Sequence, residues 1–257
     1  MQNTQLKNYI DEIQTALHRL AETNRKGFQY KQLETYFGTK LTILGLSMGD
    51  QRALFKERFS FSGLSLEEQL KIYDAVWQQA TIYELRFQAV FFITKYCKKL
   101  DPVLVLRTVD SWMDTVDCWP HSDDLAKVTC IAGIKIPEQY KALIKKWNTS
   151  SKAWKRRQSV VALVRERTAF QNIFSWSDLE ALFLNLMEED TYMVQKGLGW
   201  ALRDTGRIHD KRLLQFLNTY AHLLSSVAFA TATEKIDPAE KTHLKQLRKQ
   251  NRRKKGD

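Results

Sequence analysis

Glycine and proline are scarce in this chain, with 10 Gly and 4 Pro among 257 residues. An all-β fold of this size needs many tight turns, and turns draw on those two residues. Their scarcity excludes such a fold and predicts helices joined by short polar connections. Cysteine is scarcer still. Cys97, Cys118 and Cys130 are odd in number with no close pair, which fits neither a secreted disulfide framework nor a zinc-ligand spacing. No apolar run reaches membrane-spanning length, and the start, Met1 to Lys7, lacks the charged-then-apolar pattern of a signal peptide. The expected setting is cytoplasmic, without membrane contact. There is also no phosphate-binding glycine loop, nucleophile elbow or His-Glu-x-x-His motif, and the five histidines are scattered. Metal and nucleotide-cofactor enzymes are therefore disfavoured, and no cofactor is expected.

Positive charge is abundant. Forty Lys and Arg against 29 Asp and Glu leave a formal net charge of +11, a balance that favours polyanions such as nucleic acid. Part of it lies in the segment from Lys245 to Lys255, where basic tails are often merely solvated. The apolar residues recur with helical period. Leu179, Leu182, Phe183, Leu186 and Met187 make one stripe, Tyr83, Phe87, Val90 and Phe91 a second, and Leu213, Phe216, Leu217 and Tyr220 a third. Ser65 before Leu-Glu-Glu and Ser177-Asp178 before Leu-Glu are expected helix starts. Prolines at first helical positions add Asp101-Pro102, Ile136-Pro137 and Asp237-Pro238. About a dozen amphipathic helices result. The expected fold is all-α: degenerate HEAT-like repeats stacked as antiparallel helix pairs in a curved α-solenoid. Residues 1–240 are expected to form one DNA-binding domain, and residues 241–257 a basic tail that is helical or disordered.

Three segments carry chemistry beyond the apolar pattern. In Ser111-Trp-Met-Asp-Thr-Val-Asp117, Ser111 and Asp114 have capping-box spacing. Asp117 then falls one turn further on, on the face of Met113 and Asp114. A carboxylate favoured by the helix dipole accounts for Asp117 on spacing alone. In the second segment, Ser150 or Ser151 is expected to cap a helix whose first turns hold Lys152, Lys155, Arg156 and Arg157. Cations there oppose the macrodipole, so a nearby anion is expected, either DNA phosphate or the Asp117 carboxylate. In the third, Gly197 and Gly199 cost helix stability, which implies close approach to that backbone. Lys196, Trp200 and Arg203 share its charged face. Trp112, Trp147 and Trp154 read individually as core packing.

Taken in order, these segments resemble the bacterial DNA alkylation repair family of HEAT-like repeat DNA glycosylases, the AlkD type. The resemblance rests on Tyr36, Leu44-Gly45-Leu46 and Arg52, then Ser111-Trp112-x-Asp114-x-Val116-Asp117. It continues through Trp147-x-x-Ser150-x-x-x-Trp154-x-x-Arg157 to Gln195-Lys196-x-x-Gly199-Trp200-x-Leu202-Arg203. It implies a monomer whose concave basic face holds double-stranded DNA and which hydrolyses the N-glycosidic bond of cationic N3- and N7-alkylpurines. It places the catalytic carboxylate at Asp117, the active-site arginine at Arg157, a backbone-contacting tryptophan at Trp200 and a cleft tyrosine at Tyr36. Met113, Trp112, Lys155, Arg156, Lys196 and Arg203 complete the set expected to face DNA. Two positions depart from the family pattern: Met113 stands where the glycosylases carry a second tryptophan, and Ser47 replaces a larger polar residue. A non-catalytic relative that binds branched or distorted DNA is the alternative reading. A helical scaffold for an acidic protein is a third, and it leaves Asp117 without a role.

Overall fold

The computed structural model describes residues 3–24, 35–165 and 173–254. Thirteen named helices account for most of these residues. Among the described residues the sole trace of β structure is one isolated bridge between Thr42 and Ile82. The protein is all-α. None of the helices is long and apolar enough to cross a membrane. The chain divides into two compact units, Met1–Lys135 and Ile136–Asp257.

The first unit holds α1 (Asn3–Asn24), α2 (Met48–Lys56), α3 (Leu66–Gln79), α4 (Tyr83–Tyr96), α5 (Pro102–Trp112) and α6 (Trp119–Gly133). At its centre is α4, which packs against α1, α2, α3 and α6. Its sequence explains that position. Apart from Glu84, Arg86, Gln88 and a polar last turn, α4 is apolar on every side, and it is buried from Tyr83 through Ile93. A helix without a polar face is stable only when surrounded. The helix starts follow local chemistry. Ser65 and Glu68 form a reciprocal capping box on α3, and the Asp101 carboxylate caps α5 ahead of Pro102. Ser47 caps α2 by accepting from the Asp50 N–H, and its hydroxyl donates to the Asp50 carboxylate at 2.6 Å. A small hydroxyl at this position therefore has a structural cause.

The second unit holds α7 (Pro137–Asn148), α8 (Ala153–Val164), α9 (Trp176–Leu184), α10 (Tyr192–Gly206), α11 (Asp210–Tyr220), α12 (Ser226–Ala232) and α13 (Pro238–Lys254). Here α10 is central, packed on α8, α11 and α12. The close approach expected at its glycines is made by the protein itself. A Cβ on Gly197 would lie 3.0 Å from Arg157, and one on Gly199 would lie 2.6 Å from the Ala228 carbonyl oxygen. Three expected caps differ. The cap of α9 is Ser175, paired with Asp178, two residues before the expected start, because that spacing satisfies both orphan N–H groups at once. Neither Ser150 nor Ser151 caps α8, whose N-cap is Lys152 with no side-chain bond; the Ser150 hydroxyl accepts instead from the Lys152 N–H at 3.2 Å. The third, at Ser111, belongs to the site.

The basic C-terminal segment is helical as far as Lys254, and its final residues 255–257 lie outside the described residues. It is seated through fully buried Leu244. Arg248 donates to the carbonyls of Ala221 and Leu224 at 3.2 and 2.8 Å and lies over the Phe229 ring.

Candidate active site

The geometry around Asp117 begins with the end of α5. Pro102 starts that helix far enough upstream that Ser111 falls in its last turn. The Asp114 and Thr115 N–H groups then close tight turns onto the Ser111 and Trp112 carbonyls at 3.1 and 3.0 Å. The expected capping box at Ser111 is therefore a helix end, and Asp117 shares no helix face with Met113. Asp117 lies just before α6, next to Cys118, whose backbone is extended at φ −144° and ψ 154°.

Two elements hold the Asp117 carboxylate. Thr39 Oγ1 donates between its oxygens, 3.1 Å from Oδ1 and 3.0 Å from Oδ2, and the Lys40 N–H donates to Oδ2 at 2.8 Å. Arg86 of α4 places Nη1 3.8 Å from Oδ1 while donating to the Thr115 carbonyl at 2.8 Å, with its guanidinium over the Trp77 ring. The segment carrying Thr39 is fastened to the start of α4. Glu84, buried, accepts from the N–H groups of Leu44, Gly45 and Leu46, and Thr42 exchanges backbone bonds with Thr81 and Tyr83. Burial pushes the Glu84 carboxyl up and those N–H groups oppose it. Burial likewise pushes the Arg86 guanidinium down, and the Asp117 charge opposes that. The result is a fixed carboxylate, 23% exposed, at the edge of a buried charge pair.

Beside it, Cys118 Sγ is 3.0 Å from His121 Nδ1, and His121 Nε2 is 3.3 Å from the Tyr83 carbonyl. Donor atoms of Asp117, Cys118 and His121 lie within 4.8 Å of one another, close enough to share a cation. Arg86 already places positive charge 3.8 Å from Asp117 Oδ1, which opposes a second cation there. Burial holds His121 down at about 3, helped by the Arg86 charge, and pushes the Cys118 thiol up. The thiol and the imidazole thus meet as neutral groups in contact with each other.

The expected residues divide between the units. In the first, Tyr36 is 68% exposed and meets Trp119 edge-on at 5.7 Å. Trp119 is two residues from Asp117, so Tyr36 and Asp117 are brought together. Met113 and Trp112, expected to face DNA, do not: Met113 is 1% exposed, and Trp112 is buried, stacked on Trp77 and donating to Asp74 at 2.7 Å. Both serve the core because α5 turns that side inward.

In the second unit, Arg157 is 3% exposed and donates to the Met193 carbonyl at 2.9 Å, against the Gly197 backbone. Lys155 is buried as well. Where a DNA phosphate or the Asp117 carboxylate was expected beside these cations, Arg156 bonds Glu189 at 2.5 Å. Burial would raise Glu189, but Arg156 and Thr191 hold it at about 2. Trp200 is half-buried, donates to Asp204 at 2.8 Å and lies under Arg165. Arg203 bonds Asp204 and Glu234, and Lys196 is exposed. Sequence reasoning missed Thr39, Lys40, Arg86 and Trp119. Two charges inside the otherwise apolar first turns of α4 were the available signal for Arg86.

The profile of the DNA alkylation repair enzyme family matches residues 13–236. Among solved structures, the chain is similar to a predicted DNA alkylation repair enzyme from Enterococcus faecalis. The TM-score is 0.69 at 15% identity, over 81% of this chain and 95% of that one. It is also similar to AlkD2 from Streptococcus mutans, with a TM-score of 0.50 at 17% identity, over 92% and 97% of the two chains. At these identities the likeness speaks to the fold. No curated protein matches the sequence.

Proposed function

Because the chain belongs to the DNA alkylation repair enzyme family, matched across residues 13–236, we propose that it is a DNA glycosylase releasing cationic N3- and N7-alkylpurines from duplex DNA. The observation that carries this reading is the clamped, partly exposed Asp117. A carboxylate offers about four lone-pair sites, and the Thr39 hydroxyl and Lys40 N–H do not fill them. The remainder faces outward as fixed negative charge.

Such a group suits this reaction. An alkylated purine carries positive charge and leaves readily, so the demand falls on the sugar, where an oxocarbenium-like cation develops. Asp117 stabilises that cation and orients the attacking water without needing to reorganise. Arg86, beside Asp117, takes the charge-balancing part first expected of Arg157. Arg157 serves instead to seat α10, which carries Trp200, Lys196 and Arg203. Those three, with Arg156, are assigned to the DNA backbone and Tyr36 to the lesion-facing cleft, in a protein acting as a monomer in the cytoplasm. Salt-sensitive, sequence-tolerant binding follows from backbone contact.

A second reading, binding of distorted duplex without base excision, is favoured by one observation. Met113 is buried and offers no aromatic surface to a sugar cation. The experiment that separates the two measures release of N7-methylguanine and N3-methyladenine from methylated duplex by the parent and by Asp117→Asn. The glycosylase reading expects release by the parent and a loss on the order of 10²–10³-fold in the variant. A parent that binds duplex but releases nothing would refute it and establish the second reading.

A further inference from the structure

A cleft of about 540 Å³ opens within the first unit, between the end of α2, the middle of α3 and the last turn of α4. It is separate from the Asp117 site: along α4 the step from Arg86 to Lys95 is about 14 Å. Its walls are aromatic. Tyr73 and Phe92 stack at 4.5 Å with planes 22° apart, Phe55 meets Tyr73 at 6.2 Å, and Tyr96 meets Phe92 at 5.0 Å. Phe55 and Tyr96 are only half-buried, which leaves ring surface uncovered.

Three cations line the same cleft. Lys95 Nζ is held over the rings of Phe55 and Tyr96, 5.4 and 5.1 Å from their centres, and Lys56 and Arg58 are exposed. Among the described residues none of the three has an ion pair, although the acid Glu57 also lines the cleft. The helix dipole accounts for Lys56 and Lys95, which sit in the last turns of α2 and α4. It does not account for Arg58, which lies past the end of α2. Two polar groups are unfilled as well. Tyr73 is 3% exposed, yet its hydroxyl has no hydrogen bond among the described residues, and a buried donor without a partner costs stability. Burial pushes that hydroxyl up, so it stays a protonated donor. Gln69 directs its amide N–H groups to the Ser62 and Leu64 carbonyls at 3.3 and 2.7 Å, which leaves its Oε1 to accept.

A ligand that meets all of these has a flat ring, a donor on the edge of that ring and a negative group. We propose that the cleft binds a nucleoside monophosphate, with its base on the aromatic walls and its phosphate on Lys56, Arg58 and Lys95. The Tyr73 hydroxyl donates to this ligand, and Gln69 Oε1 accepts from an amino group of the base. The nucleotide is either free or the phosphorylated end of a nucleic-acid strand, since both present the same groups. The assignment stands apart from the glycosylase reading and uses none of its residues.

Calorimetric titration of the full chain with AMP tests this, with an expected Kd of about 0.1–1 mM. Ribose 5-phosphate, which lacks the base, and adenosine, which lacks the phosphate, are each expected to bind about tenfold more weakly or worse. Tyr73→Phe removes a hydroxyl that bonds nothing in the protein, so parental circular dichroism is expected with AMP affinity lowered about threefold or more. Arg58→Glu should lower it about tenfold or more, and Asp117→Asn should leave it at the parental value. A short single strand with and without a 5′-phosphate separates the two sources. If Arg58→Glu and loss of the 5′-phosphate weaken its binding alike, the cleft takes a strand end; if neither does, the ligand is the free nucleotide. No binding at millimolar AMP would overturn the inference. So would AMP affinity that Arg58→Glu and Tyr73→Phe both leave unchanged.

Discussion

Alanine at Gly199 sets two known effects against each other, and the structure decides which prevails. Gly199 lies within α10, where exchanging glycine for alanine gains about 1 kcal/mol of helix propensity. The new Cβ would meet the Ala228 carbonyl oxygen at 2.6 Å, Thr231 Cβ at 2.8 Å and Ala228 Cα at 3.0 Å. Ordinary carbon contacts sit at roughly 3.5–4.0 Å. The obstruction is largely α12 backbone, so no rotamer change relieves it and the helices must part by roughly half an ångström or more. Overpacking of this kind costs about 1–3 kcal/mol, and a backbone obstacle puts it near the upper end. The net expectation is a loss of about 2 kcal/mol, equivalent to a fall in Tm of about 4–8 °C for a chain of this size. Gly49 is the internal control. It is exposed in the first turn of α2, and a Cβ there meets the Ser47 hydroxyl at an ordinary 3.5 Å. Gly49→Ala should gain about 0.5 kcal/mol. Thermal unfolding followed by circular dichroism measures both. A Gly199→Ala protein melting at or above the parent would refute the helix packing on which the estimate depends.

Two further outcomes concern pH. The unfolded chain protonates His121 near its ordinary value, whereas the folded protein holds the ring neutral down to about 3. Stability is thus intact above about pH 6.5 and lost as pH falls toward 3, by about 2–3 kcal/mol at pH 4.5. His121→Leu should show a flatter dependence between pH 7 and 4.5 in urea unfolding; an unchanged slope would exonerate His121. Glu189, held at about 2 by Arg156, contributes above about pH 4.5 and ceases to as pH falls through 2. Glu189→Gln is expected to cost about 2 kcal/mol at neutral pH, with the deficit shrinking on acidification. A deficit that is constant with pH would mean that packing, not charge, is lost.

The helices were largely legible because their signals are local. The Ser65 capping box and the prolines at 102, 137 and 238 each fixed a start within a few residues. Ser111 misled for the same reason. Ser-x-x-Asp reads alike wherever it falls, and only the position of Pro102 makes it an ending. The site was legible in part. Asp117 stood out through the ordered motifs, but its partners Thr39 and Lys40 are 78 and 77 residues away, and Arg86 lies inside a buried helix. No spacing rule links residues so distant; the fastening of residues 42–46 to α4 does. The burial of Met113 and Trp112 escaped notice because an apolar side chain next to a charged one in sequence says little about which way the backbone turns it.

The seating of α13 alters what its cations can do. Lys245 and Lys249 are both exposed, one turn apart on a helix pinned by Leu244 and Arg248, so their backbone roots form a fixed row roughly 6 Å apart. A polyanion meeting that row finds charges already arranged and need not first order a loose polymer. The same seating makes deletion a blunt instrument. Removing the segment would open the socket of Leu244 and strip the Ala221 and Leu224 carbonyls of their guanidinium donor. Replacing Lys245 and Lys249 by glutamate changes the charge and leaves that joint intact.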